Sequence, residues 1–128
     1  MPDNIIFSSD PSGDLQAFLS TRKYSKVAVL ADDQTALHCY PHIQNAIPKH
    51  GVITVKSGEE HKNLPTCEHI WQAMTEQQLD RHAVLIIIGG GVLGDMGGFC
   101  AATYKRGIDF ILIPTTLLSQ VDASIGGK

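Results

Sequence analysis

The sequence predicts an α/β fold, in which helices cover both faces of a mainly parallel sheet. Stretches rich in β-branched residues alternate along the chain with stretches whose apolar residues have helical spacing, which is typical of a parallel sheet. The apolar run 83–88 is also unbroken, and this indicates a strand buried on both faces. The length of 128 residues suits one domain, which we place at 1–128.

The first third of the chain predicts a strand, a helix and a second strand. Residues 5–7 form a short apolar strand. Residues 11–21 have apolar side chains at helical spacing, and Asp10 or Ser12 can cap that helix. Residues 26–31 (KVAVLA) are rich in β-branched residues and end at an acidic pair, so they predict a strand.

The middle of the chain predicts two helices separated by a strand. The first helix covers 35–47 and is broken near Pro41, because proline does not fit a helix interior. Residues 52–56 (VITVK) form a strand. The second helix covers 64–79, and Pro65 lies in its first turn, where proline is tolerated.

A glycine-rich stretch then joins a strand to a helix. Six glycines lie within the ten positions 89–98, directly after the strand 83–88, and a helix-friendly sequence follows. A last strand covers 110–113. Because the residues after it begin a new element, we expect the chain to be the front part of a longer protein, with its domain truncated at the carboxyl-terminal end.

Composition argues against several classes of function. The net charge is −3 and no block of like charge occurs, so the sequence supports neither a nucleic-acid surface nor a membrane patch. The apolar runs are far shorter than the roughly 20 residues of a membrane-spanning helix. The amino terminus lacks a basic region followed by an apolar one. We therefore expect a cytoplasmic protein whose partners are small molecules.

The cysteines and histidines do not suggest a metal or redox site. Cys39, Cys67 and Cys100 match neither a zinc site nor a CxxC pair, and we interpret them as plain buried or half-buried thiols. None of the six histidines lies in a ligand pattern. We therefore predict no metal ligands in this chain.

The glycines carry the clearest functional signal. Gly89, Gly91 and Gly94 form a GxGxxG pattern between a predicted strand and a predicted helix, the context of a dinucleotide-binding turn. Bare backbone there lets N–H groups approach a pyrophosphate at the positive end of the helix dipole. Tight packing between strand and helix is the alternative. Gly97 and Gly98, inside the helix, predict a close approach to a neighbouring element.

The acidic residues depart from the usual dinucleotide pattern. That pattern places an acid about 20 residues later to hold a ribose, but Pro114 stands there and Asp109 precedes its strand. Asp32, at the end of strand 26–31, can take the ribose role if that strand is close. Asp95 would repel a pyrophosphate unless a cation or hydroxyl intervenes, and its alternative role is to stabilise the first turn of the helix.

Three motifs together indicate a family. SGEEHKNL, GGGVLGDMGGFCAATYKRG and PTTLLSQVDASIGGK, in this order, closely resemble the amino-terminal, NAD-binding half of 3-dehydroquinate synthase, and the similarity covers about 27–128. The resemblance implies a Rossmann-like fold and an NAD cofactor. It also implies a helical carboxyl-terminal half, absent from this chain, that binds a divalent metal (zinc or cobalt), and a homodimer in the full-length enzyme.

The resemblance implies roles for individual residues. The residues similar to those that hold the adenosine side of NAD are Asp32, Gly58, Glu59 and Lys62. The residues similar to the pyrophosphate loop are Gly90, Gly91, Val92, Leu93, Gly94 and Asp95, and those beside the cofactor are Thr115 and Thr116. The residues similar to those that act on the substrate are Arg106, Asp122 and Lys128, of which Lys128 also lies near the nicotinamide.

Several of these residues also have an explanation that needs no ligand. Glu59 and Lys62 can form an ordinary i, i+3 pair, and Arg106 can end a helix in solvent. Asp122 can belong to a turn. The threonine pair can cap the helix that follows it.

The reaction that the resemblance implies is the NAD- and metal-dependent conversion of the sugar phosphate 3-deoxy-D-arabino-heptulosonate 7-phosphate to 3-dehydroquinate with loss of phosphate, in the shikimate pathway. This makes the parent protein a phosphate-eliminating lyase. We expect the chain alone to be inactive and to bind NAD weakly. The alternatives are a sister sugar-phosphate cyclase, a polyol dehydrogenase and a non-catalytic nucleotide-binding remnant.

Overall fold

The computed structural model describes residues 10–115 and contains one parallel sheet. Its strands are β1 (Val27–Asp32), β2 (His50–Val55), β3 (Val84–Ile88) and β4 (Asp109–Ile113). They lie in the order β2–β1–β3–β4, and every neighbouring pair is parallel. The predicted α/β class and mainly parallel sheet are confirmed, whereas the strand predicted at 5–7 lies outside the described residues.

The described part of the chain contains five helices, of which the first precedes β1 and the others connect the strands. They are α1 (Pro11–Thr21), α2 (Asp33–His38), α3 (Tyr40–Ile43), α4 (Leu64–Glu76) and α5 (Gly91–Thr103). Short 3₁₀ turns occupy Gln44–Ala46, Glu59–His61 and Tyr104–Arg106. The predicted cap of α1 is confirmed as Asp10, whose carboxylate accepts from the Gly13 N–H at 3.2 Å.

The predicted break near Pro41 is confirmed, and a second predicted helix is shorter than expected. The helix predicted at 35–47 is broken at Cys39 into α2 and α3, with Pro41 in the first turn of α3, where its missing N–H is not needed. The helix predicted to reach residue 79 ends at Glu76, because Gln78 adopts a left-handed conformation with φ of 60°.

The central strand β3 separates two apolar cores. Its five residues are fully buried. Val84, Ile86 and Ile88 pack with residues of α1 and α3, whereas Leu85 and Ile87 pack with residues of α4 and α5. Burying one such side chain contributes about 1.5–3 kcal/mol, so the sheet is held from both sides in three layers, as the unbroken apolar run predicts.

The order of the strands defines a switch point. The chain moves from β1 outward to β2, then crosses back over β1 to β3 and continues to β4. The helices change face at the same step, since α1 and α3 cover one face while α4 and α5 cover the other. In open α/β sheets, ligands bind at the carboxyl ends of the two strands where the order reverses, which here are β1 and β3.

Helix α5 lies unusually close to the sheet at one position. A Cβ added to Gly97 would lie 2.7 Å from Ile87 Cδ1 and 2.9 Å from Leu30 Cδ2, closer than real Cβ contacts allow. A Cβ on Gly98 would make an ordinary contact of 3.4 Å with Phe110. The predicted close approach is therefore confirmed for Gly97, and it fixes the position of α5 over β3 and β1.

Candidate functional site

The carboxyl edge of the sheet brings the predicted cofactor residues to one place. Ala31 of β1 pairs with Ile88 of β3, so Asp32, the last residue of β1, and Gly89, the first residue after β3, lie side by side. The Gly89 N–H donates to the Ile113 carbonyl at 3.2 Å, which ties the turn to the end of β4. Thr115 follows that end by two residues and is partly buried.

Two glycines of the GxGxxG pattern serve packing. Gly89 is buried, and a Cβ there would lie 2.9 Å from both Cβ and Cδ2 of Leu93. A Cβ on Gly94 would lie 3.3 Å from Leu112 Cδ1 on β4. The first glycine therefore allows the tight turn and the last allows the helix to approach the sheet, two of the roles that this pattern has in dinucleotide folds.

The two glycines at the tip of the turn have no such explanation. A Cβ on Gly90 or Gly91 would meet nothing within 4 Å, and both residues are exposed. Neither has a positive φ, so the backbone conformation does not demand glycine either. The packing alternative explains Gly89 and Gly94 but not these two, whose bare backbone leaves the start of α5 accessible.

The amino-terminal end of α5 is suited to an anion. The N-cap residue, Gly90, has no side chain that could accept from the first N–H groups of the helix. Those groups have no partner within a helix, and they form the positive end of its dipole. Val92 and Leu93 lie in this first turn, with Leu93 buried beneath it.

A lysine offsets the acid near this helix end. Lys62, in the loop between β2 and α4, places its Nζ 3.2 Å from Oδ2 of Asp95 in α5. Asp95 is the fifth residue of α5, and the first turn contains no acid, so its predicted alternative role in stabilising that turn is wrong. Lys62 pairs with Asp95 and not with Glu59, so the alternative of an ordinary i, i+3 pair is also wrong.

The loop after β2 reaches this site through a residue that sequence reasoning missed. The Asp33 carboxylate accepts from the Ser57 N–H at 2.9 Å. Hydrogen bonds from the Ser57 side chain and backbone hold the pKa of the Asp33 carboxyl below its ordinary 3.8. Gly58 follows with φ of 115°, a conformation that favours glycine, and Glu59 is exposed beyond it. The acidic pair at the end of β1 is the signal that could have indicated Asp33.

Asp32 has a structural role that orients its carboxylate. It forms a capping box with Thr35: its Oδ1 accepts from the Gln34 N–H at 2.9 Å and the Thr35 N–H at 2.7 Å. The Thr35 hydroxyl in turn accepts from the Asp32 N–H at 2.9 Å. Both bonds to the carboxylate use Oδ1, so Oδ2 is the oxygen that can reach a ligand. The closeness of β1 and β3, which the sequence could not decide, is now clear.

Arg106 lies at the opposite edge of the sheet. It belongs to the turn between α5 and β4, and α5 has 13 residues, a length of about 20 Å. The structure therefore does not bring Arg106 to the glycine turn. Asp109 is also at this edge, where Tyr24 donates to it at 2.9 Å, in agreement with its expected position. The remaining predicted site residues, Thr116, Asp122 and Lys128, lie outside the described residues.

The described residues contain neither a metal-binding cluster nor a membrane-spanning helix. Among residues 10–115, no three His, Cys, Asp or Glu side chains come together in a way that could hold a metal ion. Cys67 and Cys100 are buried and Cys39 is half-buried, all as free thiols, in agreement with the interpretation above; burial raises the pKa of the Cys100 thiol. In the described part of the chain, no helix has the length and apolarity to cross a membrane.

Comparison with known proteins identifies the family. The sequence model of the family described as 3-dehydroquinate synthase N-terminal matches residues 52–128, more than half of the chain. The chain belongs to this family. Its glycine turn, the helix α5 and strand β4 all lie within the matched range, as does the loop that carries Lys62.

Curated relatives are similar over most of this chain and over a minor part of their own length. The chain is 39% identical to 3-dehydroquinate synthase from Parabacteroides distasonis, over 97% of this chain and 36% of the relative. It is 52% identical to the enzyme of the same name from Sulfurovum sp., over 81% of this chain and 30% of the relative. The chain therefore spans about a third of the length of the curated relatives it matches.

Solved structures agree on the fold. A 2-deoxy-scyllo-inosose synthase, complexed with carbaglucose-6-phosphate, NAD+ and Co2+, matches with a TM-score of 0.66 and 22% identity, over 80% of this chain and 29% of that one. A 2-epi-5-epi-valiolone synthase from Streptomyces hygroscopicus, with NAD+ and Zn2+ bound, matches with a TM-score of 0.65 and 23% identity, over 72% of this chain and 27% of that one. At this identity the likeness supports the Rossmann-like fold alone.

Proposed function

We propose that this chain is the NAD-binding part of a 3-dehydroquinate synthase. The observation that carries the proposal is the exposed backbone at Gly90 and Gly91. Neither side-chain packing nor backbone conformation requires glycine at these two positions. Relatives with the name 3-dehydroquinate synthase support the reaction, and the two solved structures with NAD+ bound support the cofactor.

The residues at the carboxyl edge fit the dinucleotide. The N–H groups of Gly91, Val92 and Leu93 would hold the pyrophosphate at the start of α5, where an anion is favoured. Lys62 would reduce the repulsion between that pyrophosphate and Asp95, because its ammonium group already lies 3.2 Å from the Asp95 carboxylate. Without this cation, the acid would oppose the ligand.

The strand ends fit the remaining parts of the cofactor. Oδ2 of Asp32 would accept from a ribose hydroxyl, since the capping box already fixes the carboxylate at the switch point. Gly58 and Glu59 would contact the adenosine side, from a loop that the bond between Asp33 and Ser57 holds in place. Thr115 and Thr116 would lie beside the cofactor at the end of β4.

The proposed reaction converts 3-deoxy-D-arabino-heptulosonate 7-phosphate to 3-dehydroquinate and releases phosphate. NAD, when bound, supplies a hydride acceptor that is regenerated within the same turnover. The residues of this chain bind and orient the dinucleotide and balance its charge. The resemblance assigns the ligands of the divalent metal to the helical carboxyl-terminal half of the family, and residues 10–115 bring together no three His, Cys, Asp or Glu side chains that could hold one.

The predicted catalytic residues remain proposals. Asp122 and Lys128 would contact the substrate, and Lys128 would also lie near the nicotinamide. Arg106 would contact the substrate too. It lies at the amino edge of the sheet, however, and so is far from the glycine turn of the same chain. The homodimer and the cytoplasmic location likewise remain predictions.

An assay of the full-length protein tests the proposed reaction. With NAD and a divalent metal, 3-deoxy-D-arabino-heptulosonate 7-phosphate should release phosphate without accumulation of NADH. Turnover of sedoheptulose 7-phosphate in its place would indicate a sister cyclase, and net NADH from a polyol would indicate a dehydrogenase. Absence of turnover with every substrate would favour a non-catalytic nucleotide-binding protein, and each of these three results would contradict the proposal.

A further inference from the structure

The turn that presents Lys62 is held to the next helix by the side chain of Asn63. The Asn63 Nδ2 group donates to the Glu60 carbonyl at 3.1 Å, inside the short 3₁₀ turn Glu59–His61. The Asn63 Oδ1 atom accepts from the Thr66 N–H at 3.0 Å, in the first turn of α4. One amide group therefore binds a loop on one side and a helix on the other.

Two donors of Thr66 fix the orientation of this amide. The Thr66 hydroxyl also donates to Asn63 Oδ1, at 2.8 Å, so this oxygen accepts two hydrogen bonds from the helix. The Nδ2 group can only donate, and it therefore faces the loop, where the Glu60 carbonyl is its acceptor. Asn63 thus caps α4 with its oxygen and holds the turn with its nitrogen.

The turn is exposed, whereas the helix beside it is anchored in the core. Glu60 and Lys62 are both exposed. Helix α4 buries Ile70 and Met74 completely, and they belong to the same core cluster as residues of β1 and β3. An exposed turn opens locally more easily than a helix packed in a core. The bonds from Asn63 therefore restrict the motion of the turn relative to α4.

The position of this turn decides where the ammonium group of Lys62 lies. Lys62 directly precedes Asn63, and its Nζ lies 3.2 Å from Asp95 Oδ2 in α5. Confining a lysine side chain costs conformational entropy. A backbone that is already fixed leaves less to be ordered when a ligand binds. The hold of Asn63 on the turn should therefore influence ligand binding through Lys62.

We propose that Asn63 is a positioning residue for the cofactor: through its bond to the Glu60 carbonyl, it holds Lys62 where that cation offsets the charge of Asp95 beside the pyrophosphate. This inference rests on the proposed NAD site. Asn63 acts through Lys62 and not by contact with NAD. Its capping role and its hold on the turn use different atoms, Oδ1 and Nδ2, so substitutions can separate the two roles.

Substitutions of Asn63, measured by titration of this chain with NAD and by urea unfolding, test the proposal. Asn63→Ser keeps a good helix cap but loses the amide donor. The urea midpoint should therefore be nearly unchanged, while NAD affinity falls about fivefold, the effect of one neutral hydrogen bond. Asn63→Ala loses both roles and should lower the urea midpoint as well. Asn45→Ser makes the same exchange at an exposed asparagine in the turn before β2 and should change neither quantity.

A double-mutant cycle shows whether Asn63 acts through Lys62. In the Lys62→Gln background, Asn63→Ser should have little further effect on NAD affinity, because the cation that it positions is gone. Equal NAD affinity in wild type and Asn63→Ser, or the same loss of affinity in both backgrounds, would overturn this inference and leave the proposed function intact. Absence of saturable NAD binding by the wild-type chain would contradict the proposed function, and this inference with it.

Discussion

At the scale of the residue, glycines on one short helix serve different purposes. Gly97 is required because a Cβ would clash with Ile87 and Leu30, whereas Gly91 has open space around its Cα. The sequence alone does not distinguish these purposes, since it does not show which side chains surround each glycine in the fold. The structure separates packing glycines from those that leave the backbone accessible, and this separation supports the proposed NAD site.

Substitution of these two glycines should therefore have opposite effects. Gly91→Ala should change the free energy of unfolding by no more than about 1 kcal/mol, yet weaken NAD binding at least tenfold, because the new methyl group stands where the pyrophosphate would approach. Gly97→Ala should lower the free energy of unfolding by about 1–3 kcal/mol through overpacking and leave NAD binding by the folded protein unchanged. Urea unfolding and calorimetric titration measure the two quantities. Unchanged NAD affinity in Gly91→Ala would count against the site.

The pair of Lys62 and Asp95 should matter for binding more than for stability. Its side chains are 38% and 70% exposed, so the pair contributes less than about 1 kcal/mol to folding. Lys62→Gln should weaken NAD binding, because the Asp95 carboxylate then faces the pyrophosphate without a cation. The double variant Lys62→Gln/Asp95→Asn should recover part of the affinity. A double-mutant cycle measured by calorimetry checks this, and additive effects would contradict it.

At the scale of the element, the ends of β1 and β2 organise the site. Asp32 caps α2 and lies at the switch point, and Asp33 holds the loop that begins at Ser57. One acidic pair therefore sets both the start of a helix and the position of a neighbouring loop. The elements and the site are stabilised by the same hydrogen bonds.

Two substitutions at Asp32 separate its capping role from its proposed role with ribose. Asp32→Ala removes the cap and should lower the free energy of unfolding by about 1 kcal/mol. Asp32→Asn keeps a good cap but loses the negative charge, so stability should be nearly unchanged while NAD affinity falls. Equal NAD affinity in wild type and Asp32→Asn, measured by calorimetry, would show that the carboxylate does not bind the ribose.

The bond from Ser57 to Asp33 predicts a dependence on pH. Because the folded pKa of Asp33 lies below its ordinary 3.8, its contribution to stability is complete above that value and is lost as the pH falls through the folded pKa. The difference in urea midpoint between wild type and Asp33→Asn should therefore be larger at pH 7 than at pH 3. Glu68→Gln, at an exposed acid on α4, is the control of matched charge. A difference that does not change with pH would contradict this role.

Most elements could be predicted from the sequence because their signals are local. The apolar run before the glycines predicts β3, and Pro65 predicts the start of α4. The ends of helices were less predictable, since Gln78 stops α4 through a backbone conformation that glutamine rarely adopts. The pairing of Lys62 with Asp95 joins residues 33 positions apart, and no local pattern contains it.

At the scale of the whole molecule, the sheet has two edges with different chemistry. The carboxyl edge carries the glycine turn at the switch point, whereas the amino edge carries the cations Arg81, Lys105 and Arg106. Strand order decides which residues meet, and the sequence does not contain that order, so Asp32 could be placed beside the turn only in the structure. Helix α5, about 20 Å long, separates Arg106 from the turn, although the two lie within one continuous motif.

The most direct test of the central claim is a titration of this 128-residue chain with NAD, followed residue by residue through backbone amide resonances. We predict weak, saturable binding, because one part of a cleft leaves much of the dinucleotide in water. The shifts should be largest at 89–95 and extend to Asp32 and 58–62. Saturable binding that leaves the resonances of Gly90 and Gly91 unmoved, or that maps to the amino edge, would contradict the claim that this turn receives the pyrophosphate.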